Sequence, residues 1–244
     1  MRLWNGWGNE DSDLTMELSD GLRALLEALV GPGTALSQAT LNEVIAKVPN
    51  SRLGDHPLIK TEPEIRVRHA RGQSLPDWLE MHSGNVDTFP DGVAFPESSE
   101  QVRELLAHAK ENNLIVIPYG GGTSVVGHIN PETSDKPVLT IDMAKMNSML
   151  SIDTESQLAT FGAGAPGPVV EEELKKYGYT LGHFPQSWEL STLGGWVASR
   201  SSGQQSLHYG RIENMFAGGA IETLNGTMKI STIPASSAGP DVRE

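Results

Sequence analysis

The chain has 244 residues and is 38% hydrophobic, enough for one sizeable domain plus an appendage or for two small domains. A formal net charge of −13 and a pI near 4.9 set it against phosphate backbones and anionic lipid, so nucleic-acid and peripheral membrane binding are not expected. It has no cysteine, no apolar run long enough to span a bilayer and no apolar signal core behind Met1; disulfides and thiol chemistry are excluded, and a cytoplasmic protein is the expectation.

Leu22, Leu25, Leu26 and Leu29 recur at helical spacing and predict a helix over residues 18–30, with Ser19 or Asp20 as N-cap and Gly31-Pro32-Gly33 as its stop. A second short helix is expected from Thr40, where Glu43 three positions on completes a capping box, and it ends before Pro49. Residues 50–89 are rich in Pro, Arg, His and Asp, show no lasting period, and are expected to be irregular. A short strand follows at residues 92–96. Ser98 then opens a helix whose buried stripe is Val102, Leu105, Leu106 and Ala109, closed by Asn112-Asn113.

Residues 114–118 form a continuous apolar run, the pattern of a strand covered on both faces. Strand, helix and strand make one βαβ unit, with a glycine cluster at the carboxyl end of its second strand. Ligands of open α/β sheets sit at that edge. Further strands are predicted at 138–141, 148–152 and 157–162. A helix over 168–177 stops at Gly178, and a hairpin joins 215–223 to 227–230 through Asn225-Gly226. The fold class is therefore α+β.

Two segments carry chemistry. In Pro118-Tyr119-Gly120-Gly121-Gly122-Thr123-Ser124, three successive glycines remove every Cβ, so backbone amides can turn inward together and a ligand can approach the main chain. Such a loop suits a diphosphate, and a Cβ at Gly121 is expected to occupy the diphosphate's space. No Gly-Lys-Ser/Thr follows, which excludes a P-loop, and Val125 stands where a dinucleotide fingerprint needs its third glycine. A tight connecting loop is the competing interpretation.

The second segment contains Gln186, Ser187, Trp188, Glu189, Leu190, Ser191 and Thr192. Ser191 or Thr192 can N-cap a short helix and leave free amides at its start, while Gly194 and Gly195 let that helix pack against or under a flat ligand. Ser199, Arg200, Ser201 and Ser202 follow; Arg200 either pairs with phosphate or substrate charge or is a solvated surface arginine. Trp188 and Trp196 read as core aromatics. Arg66, Arg68, His69 and Arg71 make an electropositive run whose expected partners are Glu62, Glu64 and Asp77. The seven histidines show no paired ligand spacing, so no metal site is expected, and no Gly-x-Ser-x-Gly elbow is present.

Taken in order, the Pro-Tyr-Gly-Gly-Gly-Thr-Ser-Val block at 118–125, Ser-Trp-Glu-Leu-Ser-Thr-Leu-Gly-Gly-Trp-Val at 187–197, Ser-Arg-Ser-Ser-Gly at 199–203 and Tyr-Gly-Arg-Ile-Glu-Asn at 209–214 resemble the vanillyl-alcohol-oxidase-type (PCMH-type) FAD-binding proteins. Within that family they are most similar to the alkyldihydroxyacetonephosphate synthase branch, as is Trp4-Asn5-Gly6-Trp7-Gly8 near the amino end. The resemblance implies a PCMH-type FAD-binding domain of two α/β subdomains over residues 89–244, preceded by a partly helical extension over 1–88. It implies that Pro118 to Ser124 wrap the FAD diphosphate, that Gln186 to Thr192 with Gly194, Gly195 and Ser199 to Ser202 line the flavin and ribityl region, and that Ile221 lies beside the adenine. Gln186 stands where the family carries an aspartate. The glycine loop lacks the histidine through which many relatives attach FAD, which implies non-covalent FAD; His128, just beyond, reads as a polar loop residue.

Relatives continue past the stretch matching 236–241 into a further flavin-contacting segment and a cap domain with the catalytic tyrosine and histidines. The chain is therefore expected to be incomplete at its carboxyl end, and no catalytic residue is assigned. For the complete protein the resemblance implies exchange of the acyl chain of an acylated dihydroxyacetone phosphate for a fatty alcohol through a flavin adduct. The alternatives are FAD-linked oxidation of a 2-hydroxy acid or alcohol, and a non-catalytic FAD-binding fragment. A small-molecule or lipid-like substrate is implied, and a homodimer is compatible with the resemblance.

Overall fold

A computed structural model of the chain describes residues 2–11 and 18–230; the segment 236–241 lies outside them. The first helix, α1 (Asp20–Val30), starts where Ser19 accepts the Leu22 amide at 3.3 Å and ends at Gly31, whose φ of 89° lies in the left-handed region. Its leucines stay exposed, so this helix adds little to the core. In α2 (Leu41–Ile45) the capping box forms in both directions, Glu43 N to Thr40 Oγ1 at 3.3 Å and Thr40 N to Glu43 Oε2 at 2.7 Å, and it delivers the fully buried Val44 to the interior.

Residues 50–89, expected to be irregular, hold one strand and two helices: β1 (Ile59–Lys60), α3 (Pro63–Arg68) and α4 (Leu75–Ser83). Both helices have proline in the first turn, where its missing N–H costs nothing, and α4 has a reciprocal capping box between Ser74 and Asp77. Neither helix is long enough to establish a visible period. Their inner faces build a core of Val44, Val67, Ala70, Met81, Val86 and Phe89, against which Trp4 packs.

The βαβ unit is present as β2 (Gly92–Ala94), α5 (Ser99–Glu111) and β3 (Ile115–Tyr119), with Ser98 capping α5. β4 (Val138–Asp142) inserts between the two, giving the order β1-β2-β4-β3, with β2, β4 and β3 parallel and β1 antiparallel at one edge. This corrects the expectation for residues 114–118. β3 is an edge strand of the described sheet, with Pro118 exposed, while all five residues of the central β4 are buried. Proline is tolerated at an edge because no neighbour needs its donor. Val102, Leu105 and Ala109 are buried as expected, and Leu106 is only half-buried at the flank of the core of Ile59, Ala94, Leu105, Leu139 and Ile141. Full burial of Leu105 is worth roughly 2–3 kcal/mol.

From β4 a 3₁₀ turn (Met143–Lys145) leads to the second lobe: the antiparallel pair β5 (Met149–Asp153) and β6 (Leu158–Phe161), α6 (Gly167–Lys175) and α7 (Leu193–Ala198). Ala165, Val170 and Leu174 form its core. Two single-turn helices, α8 (Ser206–Tyr209) and α9 (Ile212–Met215), precede the hairpin of β7 (Gly219–Thr223) and β8 (Gly226–Ile230). The hairpin forms as expected, except that Met215 belongs to α9 and β7 begins at Gly219. β7 returns to the first lobe and packs on α5, where Glu222 meets Arg103 at 2.8 Å. Two sheet-bearing lobes with flanking helices make this an α+β fold.

Candidate functional site

The glycine loop leaves β3 and runs straight into the second lobe. A β-carbon at Gly120 would collide with the Thr192 hydroxyl, and one at Gly121 with the Leu190 carbonyl and the Ser191 backbone. At Gly122, whose φ is 67°, it would strike the Tyr119 hydroxyl. The two segments singled out in the sequence therefore touch through their main chains. The glycines are needed for a different reason from the one expected: protein atoms, not ligand space, would meet a Cβ at Gly121.

The loop's amides are what remain for a ligand. Among the described residues, no protein acceptor takes the N–H of Gly121, Gly122, Thr123 or Ser124. The start of α7 behaves in the opposite way. Thr192 is its N-cap, but the Leu193 and Gly194 amides already donate to the Ala165 and Ala163 carbonyls, both at 2.8 Å, and the Gly195 amide turns to Thr192 Oγ1. The free helix-start amides expected there are spent on docking α7 against the 162–166 connection. Gly194 serves that contact, since its Cβ would meet Ala163.

Between these segments lies a cleft of about 350 Å³. The glycine loop bounds it with Leu190 and Thr192, Asp142 and Asn147 with Gly164 and Pro166, Arg68, His69, Arg71 and Gln73, and Arg2, Leu3 and Trp4 from the amino end. His69 Nδ1 faces the Ile65 carbonyl at 2.7 Å and Nε2 faces Asp142 Oδ2 at 3.0 Å. Burial pushes the Tyr119 phenol up to about 12, with the Arg2 charge opposing and the Asp142 charge adding to the shift, so it remains a neutral donor at the cleft wall.

The partners expected for the basic run are only partly found. Arg68 does pair with Glu64 at 2.9 Å. Arg66 is buried and donates instead to the Pro90 and Pro49 carbonyls, Arg71 is held by Glu80 and Asp87, and Asp77 is taken by Ser74 and Asn130. Arg66 and Arg71 thus meet partners 9 to 24 positions away, which local spacing does not show.

The remaining candidates spread away from the cleft. Gln186, Glu189, Ser199, Arg200 and Ser202 are exposed, Ser187 and Trp188 are half-buried, and Ile221 is an exposed residue on the outer hairpin. Arg200 sits at a φ of 53° with its guanidinium 3.9 Å from Glu213. Trp196 is buried as expected and donates its indole N–H to Ser191 Oγ at 2.6 Å; Trp188 packs on Gly167 and Phe184. His128 is exposed, and its Nδ1 lies 3.1 Å from Ser124 Oγ.

Three residues carried no sequence signal. Arg2 reaches the glycine loop, Asp142 pairs with His69, and His183 is buried with its ring against Trp196 and Nε2 3.1 Å from Ser201 Oγ. His183 Nδ1 has no partner, and burial holds this imidazole below the usual histidine range.

Open amides beside a cationic wall, in a chain that is acidic overall, fit a ligand carrying a diphosphate. A family model described as an FAD binding domain matches residues 90–231. Alkyldihydroxyacetonephosphate synthase of Dictyostelium discoideum is 39% identical over 74% of this chain and 30% of its own length. A solved alkyldihydroxyacetonephosphate synthase superimposes with a TM-score of 0.84 at 30% identity, covering 99% of this chain and 49% of that one. A mitochondrial D-lactate dehydrogenase [cytochrome] of Saccharomyces cerevisiae is 28% identical over 62% of this chain and 25% of its length. The chain thus spans a half or less of the length of the relatives it matches.

Proposed function

The chain belongs to the PCMH-type FAD binding domain family, with FAD as its cofactor, and from that premise we propose that it is the cofactor-holding part of an alkyldihydroxyacetonephosphate synthase-like flavoenzyme. The observation that carries the assignment is the junction of the glycine loop with Leu190, Ser191 and Thr192: among the described residues the Gly121 to Ser124 amides have no acceptor, and Gly121 lines a cleft that also holds Arg2, Arg68, His69 and Arg71. Pro118 to Ser124 hold the diphosphate. Leu190 and Thr192 bound the same cleft; the flavin and ribityl roles of Gln186 to Glu189, Ser191, Gly194, Gly195 and Ser199 to Ser202, and the adenine role of Ile221, rest on the family resemblance, since these residues do not line it. On this reading residues 1–88 are an N-terminal extension and 89–244 the FAD-binding domain, with β1 of the first pairing β2 of the second.

Bound FAD supplies a reversible electron-pair sink, and the protein supplies position and charge. The unengaged loop amides donate to the diphosphate, the Tyr119 phenol stays protonated at the cleft wall, and the His69–Asp142 pair fixes β4 against α3. In the complete protein the reaction is exchange of an acyl for an alkyl chain on dihydroxyacetone phosphate, a step in making ether lipid. Two observations favour it over 2-hydroxy-acid oxidation: the higher identity to the synthase, and a structural likeness that reaches through the N-terminal extension as well. FAD is held without a covalent bond; no helix among the described residues is long and apolar enough to cross a membrane.

The test is a titration of purified chain into FAD, followed by quenching of flavin fluorescence. Saturable quenching with a flavin spectrum on the protein is expected. Folded protein that leaves FAD fluorescence unchanged overturns the assignment.

A further inference from the structure

We propose that Arg2, presented by a hairpin at the amino end, is a binding residue for the cofactor's diphosphate. This rests on the FAD assignment above and extends the cleft to a segment 119 positions away in sequence.

The hairpin is built into the fold. Its strands meet at the Arg2–Asn9 bridge, the Leu3 amide donates to the Gly8 carbonyl at 3.0 Å, and Gly8 turns the chain at a φ of 102°. The Arg2 carbonyl accepts from Arg68 Nη1 at 2.9 Å, and Trp4 packs against the core formed by α2, α3 and α4. The position of Arg2 is therefore fixed from both sides, and its Nη1 donates to the Gly121 carbonyl at 2.8 Å.

Charge accounting singles it out. Arg68 is matched by Glu64 and Glu10, Arg71 by Glu80 and Asp87, and His69 by Asp142. Among the described residues Arg2 has no carboxylate within ion-pair distance, and only one of its five N–H donors is engaged. Among the described residues an acidic chain thus places a guanidinium without a carboxylate partner at the loop whose amides lack acceptors. Phosphate loops commonly include a lysine; this loop has none, and Arg2 supplies the missing cation from elsewhere.

The test uses the full chain and its Arg2→Lys and Arg2→Gln variants, with dissociation constants for FAD, ADP and riboflavin at two salt concentrations. Glutamine can still donate to Gly121 but carries no charge. Arg2→Gln is expected to weaken FAD and ADP about tenfold, the loss of one charge-assisted contact, and to reduce their salt dependence, with riboflavin unchanged and lysine restoring most of the affinity. Equal FAD and ADP affinities in wild type and Arg2→Gln overturn the role of Arg2 and leave the FAD assignment standing. A riboflavin loss that matches the FAD loss makes Arg2 purely structural and overturns it too. Wild-type protein that binds neither FAD nor ADP removes the FAD assignment and this inference together.

Discussion

Gly121 lies directly against the carbonyl of Leu190, with no room between them for a β-carbon. The two lobes thus meet main chain to main chain beside the proposed diphosphate loop. Gly121→Ala should therefore destabilise the whole protein, by roughly 2–3 kcal/mol for an overpacked contact against backbone. Gly54→Ala, in open space, is the control and should change little. Chemical denaturation of both variants decides it: equal midpoints would mean that the lobes are not packed through this glycine.

Asp91 ties three segments together. It accepts from Arg52 Nε at 2.9 Å, Arg52 Nη2 at 2.7 Å and the Val138 amide at 2.8 Å. Burial raises its pKa, but the Arg52 and Val138 hydrogen bonds and the Arg52 charge outweigh that and hold the carboxyl below its usual range. The folded state thus binds this proton less readily than the unfolded chain. The stabilisation is complete above the ordinary carboxylate pKa of about 4 and is lost as pH falls through the lower folded value. Asp91→Asn should cost about 2 kcal/mol at neutral pH, discounted for the partly exposed Arg52, and should flatten the acid limb of a stability-versus-pH curve. An unchanged acid limb would contradict this.

His183 gives the second pH dependence. Its buried ring favours the neutral form, so as pH falls the unfolded chain takes up the proton first. Stability should be full above the unfolded histidine pKa of about 6.5 and decline from there toward the folded value. Melting temperatures at pH 7.5 and 5.5 should differ more in wild type than in His183→Gln. The same difference in both proteins would show that His183 does not titrate with folding.

Much of the fold was legible where a local rule coincides with the tertiary outcome. The α5 stripe, the Thr40–Glu43 box and the Asn225-Gly226 turn all form because short-range chemistry and packing agree there. The helices α3 and α4 went unseen because six and nine residues carry too few turns for periodicity; Pro63 and the Ser74-to-Asp77 box were the available signals. The apolar run ending at Pro118 suggested a covered strand, whereas the buried position went to β4, whose Thr140 and Asp142 disguise it. In the cleft, the two segments were legible as unusual backbone. Arg2, Asp142 and His183 were not, since each acts through a contact that only the folded chain creates.

His128 is exposed and hydrogen-bonds Ser124, and the glycine loop itself contains no histidine. Acid precipitation of FAD-loaded protein should therefore leave the flavin in the supernatant. A yellow pellet that survives washing in denaturant would show a covalent link.

Hydrogen exchange of the backbone amides, with and without FAD, addresses the cleft most directly. Cofactor should slow exchange at Gly121 to Ser124 and in the Leu190–Thr192 segment together, and ADP should reproduce the protection of the loop. Tight FAD binding that protects other regions and leaves Gly121 to Ser124 exchanging as before would contradict the account.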